Sequence, residues 1–178
     1  VVADAAKQFF GFEENARVKV YVRDARVQMR QFARENRKYD IVFLDAYRGG
    51  YIPYHLTTQE FMELTKSLLK DTGIVVSNLQ PGFASYHYQR RTIAKVFANE
   101  WSYGRYGNVI VVAYAKPKTL TKAQLVEVAE RLQAAKKFQF YLPEIAEMGR
   151  PGGDYVRNGP ILTDDYAPTD VLRSLPQD

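Results

Sequence analysis

"DIVFLDAYRGGYIPYHLTTQEF", Asp40 to Phe61, decides how the rest of the chain is read. Ile41-Val42-Phe43-Leu44 is a short apolar run, rich in β-branched and aromatic residues, that ends on a carboxylate, Asp45. A run of that kind predicts a strand buried on both faces, the form parallel strands take in α/β proteins. Asp45 then stands at the strand's C-terminal end, where open α/β sheets place their ligands. Gly49-Gly50 follows and permits a sharp turn or a close backbone approach. Tyr47, Tyr51, Tyr54 and His55 crowd the same loop. Aromatics with polar tips suit the wall of a small-molecule pocket, and they equally suit a loop packed on a domain.

Outward from this stretch, strands and helices alternate, which predicts a doubly wound α/β sheet. Upstream lie a helix over Val2 to Phe9 and an alternating segment "ARVKVYV" (Ala16 to Val22), whose Arg17 to Val22 read as a strand stopping at Arg23-Asp24. A helix follows with Ala25, Met29, Phe32 and Ala33 toward a core and Arg26, Arg30, Arg34 and Arg37 on a solvated face. Downstream, Thr57-x-x-Glu60 reads as a capping box opening a helix with Phe61, Leu64, Thr65 and Leu68 on one side, and Asp71-Thr72-Gly73 as the turn that stops it. Strands are expected over Ile74 to Asn78 and Val109 to Ala115. Ser85 is placed to cap the helix between them, and a second capping box at Thr121-x-x-Gln124 opens another. The close-set pair of strands around Gly104 to Asn108, of which "NVIVVAYA" (Asn108 to Ala115) is the stronger, predicts an antiparallel edge hairpin. Residues 1–136 thus form one α/β domain and residues 137–178, where Pro and Gly accumulate, an irregular C-terminal arm.

Composition narrows the function. The 178 residues are 46% hydrophobic, enough for one domain with a real core. Lys and Arg number 25 against 20 Asp and Glu, a net charge of +5, but no nucleic-acid-binding motif accompanies it, so no nucleic-acid partner is expected. The absence of cysteine excludes disulfides, thiol catalysis and Cys-ligated metals. No apolar run reaches the ~20 residues a membrane span needs, and no signal peptide opens the chain, so a cytoplasmic location without membrane contact is expected. His55 has no partner at metal-ligand spacing, and Asp164-Asp165 reads as a turn before Pro168, so no metal site is expected. Two acids remain, Asp24 and Asp45, each read at a strand end. Either could accept hydrogen bonds or take a proton, though Asp also favours N-caps and turns. No Gly-rich nucleotide loop follows any strand, and no G-x-S-x-G elbow is present.

"RDAR" (Arg23 to Arg26), "YDIVFLDAYRGGYIPYHLTTQEFMELTKSLLKDTGIVVSNL" (Tyr39 to Leu79) and "ILTDDYAP" (Ile161 to Pro168) together resemble the spermidine synthase family, in particular its bacterial spermidine synthase-like branch. The resemblance covers residues 1 to about 116 in order, plus the tail motif. It implies a class I methyltransferase-like, Rossmann-like sheet of order 3-2-1-4-5-7-6. The ligand it implies is decarboxylated S-adenosylmethionine or S-adenosylmethionine, bound as a substrate, with no metal. Mapped by motif, Asp24 with Ala25 resembles the pair that recognises adenine, and Asp45 the acid that deprotonates the attacking amine. Tyr47, Arg48, Tyr51, Tyr54 and His55 are then candidate acceptor-binding residues.

Two departures qualify what the resemblance implies. The family carries a second Asp three residues after the catalytic one; here Arg48 stands there, and like charges ~4 Å apart cost a few kcal/mol at intermediate dielectric. Val1-Val2 falls just after the family's "E-L-D-P" strand, so the first two strands, the Gly-rich loop and the ribose-binding acid are expected upstream of the sequence. The expected function is transfer of an aminopropyl group to a small-molecule amine. The alternatives are an S-adenosylmethionine-dependent methyltransferase with a non-polyamine acceptor, which Arg48 favours if that acceptor is anionic, and a non-catalytic binding module. The sequence leaves the oligomeric state open, a homodimer included.

Overall fold

The computed structural model describes residues 2–48, 51–97, 99–104 and 107–167. In chain order the elements are α1 (Val2–Phe9), α2 (Ala25–Arg34), β1 (Tyr39–Leu44), a 3-10 turn (Tyr54–Leu56), α3 (Gln59–Ser67), β2 (Leu69–Leu79), α4 (Tyr86–Val96), β3 (Glu100–Tyr103), β4 (Val109–Tyr114), α5 (Lys122–Ala135), α6 (Leu142–Met148) and β5 (Arg150–Pro151). The strands form one mixed sheet of order β1-β2-β4-β3-β5. β1 and β2 run parallel, with Val42 opposite Val75 and Leu44 opposite Ser77. The other pairings are antiparallel. That β4 lies between β2 and β3 reproduces the 4-5-7-6 end of the implied order, and β3 with β4 is the expected hairpin.

Alternation along the strands sets the core. Val75, Ser77 and Leu79 of β2 and Val109, Val111 and Ala113 of β4 are buried on one face, where α3 packs between α2 and α4. Phe61, Val75, Ile93 and Val111, each no more than 1% exposed, contribute about 1.5–3 kcal/mol apiece. Val42 and Leu44 of β1 join this core. The opposite face of β1 departs from the expectation of burial on both sides: Ile41 is 47% and Phe43 70% exposed.

The expected strand Arg17 to Val22 does not form. A strand is a pairing state, and no strand among the described residues lies beside this segment. A cleft of about 500 Å³, lined by Arg17, Lys19 and Tyr21 on one side and Tyr39, Ile41 and Val42 on the other, separates it from β1. Local contacts hold it instead: the Val20 amide donates to Glu14 Oε1 at 2.8 Å, and the Tyr21 ring meets Phe32 edge-on at 5.1 Å.

Three further expectations shift. The helix read from Thr57 starts one residue later, with Thr58 as N-cap accepting from the Phe61 amide, while Thr57 Oγ1 donates to Tyr54 O at 2.7 Å. Asp71-Thr72-Gly73 is a bulge inside β2 rather than a turn after α3, which has already ended at Ser67. Tyr39 pairs Leu69 but Ile41 pairs Ile74, so the extra residues of β2 loop out between them. Gly73 permits this, since a Cβ there would sit 2.9 Å from Lys70 O and 3.0 Å from Tyr39 O. Ser85 occupies its N-cap position without capping the backbone; its hydroxyl accepts from Gln89 Nε2 at 3.3 Å. The Thr121–Gln124 capping box forms as expected.

Beyond residue 137, the segment expected as an irregular arm carries α6, packed on α5, and β5, paired to β3. The following stretch is strapped to α4. Arg90, wholly buried, reaches Gly152 O at 2.8 Å and Glu100 Oε1 at 3.1 Å, and burial pushes the Glu100 carboxyl up. Arg91 holds Pro160 O and Val156 O, each at 2.8 Å. The Leu162 amide donates to Thr92 Oγ1 at 2.9 Å. Leu162 O then accepts from the Gln59 amide at 2.7 Å, which delivers the tail to the start of α3. Among the described residues no helix is long and apolar enough to cross a membrane.

Candidate active site

Asp45 follows the last residue of β1 directly, at the same end of the sheet as Asn78 and Leu79 of the parallel β2. Asn78 Nδ2 donates to Asp45 Oδ1 at 3.0 Å. The Asn78 main-chain carbonyl accepts from the Tyr47 hydroxyl at 2.8 Å, whose pKa is raised by burial and by the Asp45 charge. One carboxylate oxygen of Asp45 is thereby oriented from the neighbouring strand.

Asp24 is not at a strand end, since the preceding strand is absent; it is the N-cap of α2. Its Oδ1 accepts from the Val27 amide at 3.0 Å, and Oδ2 lies 2.7 Å from His55 Nε2. The Val27 amide first, then the imidazole, hold its carboxyl below the usual range against a partial desolvation penalty. Ala25, one residue on, lines a cavity of about 320 Å³ together with Asp45, Ala46, Ile52, Leu56 and Met62. The cavity is therefore bounded by the start of α2 and the end of β1. The two motif acids share one end of the molecule although only one follows a strand.

The remaining candidates divide. Tyr47 and His55 join the site through Asn78 and Asp24. Arg48, Tyr51 and Tyr54 do not line the cavity: Arg48 is exposed and its backbone bridges to Tyr51, and Tyr54 is half exposed, edge-on to His55 at 5.6 Å. Gly49 and Gly50 lie outside the described residues.

Arg26 was assigned to a solvated face, yet it is 8% exposed. Its guanidinium forks onto Asp164 at 2.7 and 2.6 Å and reaches His55 O at 3.2 Å. Asp164 also accepts from Thr58 Oγ1 at 2.7 Å, and its amide donates to Glu60 Oε2 at 2.9 Å, which removes Glu60 from the capping role. Arg26 depresses the Asp164 carboxyl. The reading of Asp164 as a turn residue is half the account, since Thr163 and Tyr166 do close a turn, but its side chain clamps the tail to the residues around Asp24. Asn78 and Asp164 are the site residues that sequence reasoning missed. Asn78 could have been found from the parallel register that sets it beside Asp45, and Asp164 from its place in the same tail motif that carries the resemblance.

No family model matches the chain. A polyamine aminopropyltransferase of Vibrio vulnificus is 29% identical over 177 residues, covering 97% of this chain and 59% of that protein. A probable polyamine aminopropyl transferase of Bifidobacterium longum is 27% identical, covering 96% of this chain and 41% of that protein. The spermidine synthase of Thermotoga maritima superimposes with a TM-score of 0.60 at 20% identity, over 82% of this chain and 52% of its own. The chain is spermidine synthase-like. Human methyltransferase-like protein 13, in complex with SAH, has the same fold at a TM-score of 0.67 and 22% identity, over 78% of this chain and 68% of its own. This spermidine synthase-like chain spans between 41% and 59% of the length of the two curated relatives it matches.

Proposed function

We propose that the spermidine synthase-like chain takes part in transfer of an aminopropyl group from decarboxylated S-adenosylmethionine to a small-molecule amine, with Asp45 as the general base. The observation that carries this reading is the single cavity lined by both Ala25 and Asp45. The cavity walls fit a purine nucleoside: they are largely apolar, and Asp24 stands at the adjoining helix start. Each carboxylate oxygen has two lone pairs, so Asp24 can accept from an exocyclic amino group while keeping Val27 and His55. The sulfonium supplies the leaving group.

An ammonium has no lone pair with which to attack. Asp45, its Oδ1 fixed by Asn78, takes the amine proton on its other oxygen; the freed nitrogen forms a bond to the carbon next to sulfur as the carbon–sulfur bond breaks. Holding the carboxylate in one orientation is the contribution of the Asn78 side chain, whose backbone Tyr47 holds in turn. The methyl-transfer alternative drew on Arg48 meeting an anionic acceptor, and Arg48 does not line the cavity.

The test is release of 5′-methylthioadenosine, followed by mass spectrometry, from decarboxylated S-adenosylmethionine and a panel of amines. Asp45→Asn keeps the volume and the Asn78 contact but removes the base. Turnover is expected to fall by about 10²–10⁴-fold with nucleotide binding retained. Unchanged turnover in Asp45→Asn would remove Asp45 from the role of base.

A further inference from the structure

Asp24 makes one more hydrogen bond than a helix cap requires. As N-cap of α2 it accepts from the Val27 amide through Oδ1 at 3.0 Å, and that bond alone satisfies the cap. Its other oxygen, Oδ2, lies 2.7 Å from Nε2 of His55, 31 positions along the chain. A carboxylate held by one oxygen can swing about that contact, so its remaining lone pairs take a range of directions. A second bond, made to the other oxygen, fixes the plane. The Asp24 carboxyl is held below the usual range, first by the Val27 amide, so at neutral pH it is ionised and only accepts; His55 therefore presents an N–H at Nε2.

His55 is itself held in place. It belongs to the 3-10 turn Tyr54–Leu56, closed by the Leu56 amide on Pro53 O at 2.9 Å and by Thr57 Oγ1 on Tyr54 O at 2.7 Å. The His55 carbonyl accepts from Arg26 Nη1 at 3.2 Å, the guanidinium that forks onto Asp164. The Tyr54 ring stands edge-on to the imidazole at 5.6 Å. Leu56 and Thr57, beside it in the chain, line the cavity together with Ala25, so this pinned turn adjoins the space in which the nucleoside is placed. An aimed carboxylate accepts from the amino group of a 6-aminopurine and meets the carbonyl of a 6-oxopurine lone pair to lone pair, whereas one free to turn aside loses both effects. We propose that His55 is a positioning residue for nucleoside selectivity: by fixing the plane of the Asp24 carboxylate it makes the site take a 6-aminopurine and refuse a 6-oxopurine. This inference rests on the reading of Asp24 as acceptor for the exocyclic amino group.

Calorimetry on the whole chain compares 5′-methylthioadenosine with 5′-methylthioinosine, which carries a carbonyl in place of the amino group. The parent chain is expected to favour the adenosine compound by at least about tenfold. His55→Leu should bring that ratio close to unity, whereas His55→Gln, whose Nε2 can stand where the imidazole donor stood, should retain most of it. A purely structural role for His55 would shift the melting temperature of His55→Leu without moving the ratio. If His55→Leu does not fold, His55→Asn, too short to reach Asp24 Oδ2 from the same turn, takes its place. A preference that Asp24→Ser abolishes but His55→Leu leaves intact overturns the inference while the reading of Asp24 stands. Equal weakening of both nucleosides in His55→Leu, or loss of the preference in His55→Gln as well, overturns it in the same way. A parent chain that binds neither nucleoside, or both alike, overturns it through the reading on which it rests.

Discussion

At the scale of single residues, two acids beside the site are each tied to a cationic or imidazole partner, Asp164 to Arg26 and Asp24 to His55. Arg26 is buried, and its fork onto Asp164 is the contact that joins the tail to the helix bearing Ala25. Asp164→Ala should therefore destabilise the fold by about 2 kcal/mol, the scale of a hydrogen-bonded charge left unpaired, measured by chemical denaturation. The pH dependence has a definite sign. The Asp164 carboxyl is lowered in the folded state, first by the Arg26 hydrogen bond, and that of Asp24, first by the Val27 amide. Groups depressed on folding contribute stability that is present above the ordinary aspartate pKa and lost as pH falls through the folded value. Melting temperature should fall in the acid range below that ordinary value, and Asp164→Asn should reduce the slope there; an unaltered slope would deny the Arg26–Asp164 pair its role. Little of this was legible in the chain. Arg26 sits at the spacing of a solvated stripe, and its partner is 138 residues away, a separation that helical periodicity does not report. Asp45 was legible because the apolar run before it is local.

At the scale of elements, what could be read from the sequence was whatever depends on near neighbours. β1, β2 and β4 follow from apolar β-branched runs, and the Thr121 capping box from residues within one turn. The segment Arg17 to Val22 alternates as a strand does, but alternation specifies only which face each side chain takes; the ladder needs a partner, which none of the described residues supplies. The start of α3 failed for a subtler reason. Thr57 and Thr58 are both competent caps, and the choice is made by the tail, because Asp164 engages Thr58 Oγ1 and Glu60 Oε2 takes the Asp164 amide. Thr58→Ala should cost about 1–2 kcal/mol, losing a cap and a tail contact together. Thr57→Ala, which loses only the hydroxyl's bond to Tyr54 O, should cost less. A reversed order in urea midpoints would return the helix start to Thr57.

At the scale of the whole molecule, the sheet order, the cavity at the C-terminal end of the parallel strands and the tail strapped across α4 converge on one place. β1 and β2 bring Asp45 and Asn78 to its rim, α2 brings Ala25 with Asp24 beside it, and the tail holds α2 and α3 together there. On the open face of β1, Phe43, 70% exposed, also lines the cavity, whereas Ile41 does not. The account therefore depends on the cavity being a nucleoside site. Calorimetric titration of 5′-methylthioadenosine into the whole chain and into Asp24→Ser tests that claim most directly, because Ser preserves the N-cap of α2 while removing the carboxylate. The account predicts saturable one-site binding by the parent chain and at least about tenfold weaker binding by Asp24→Ser. No binding by the parent, or equal affinity in the two proteins, would contradict it.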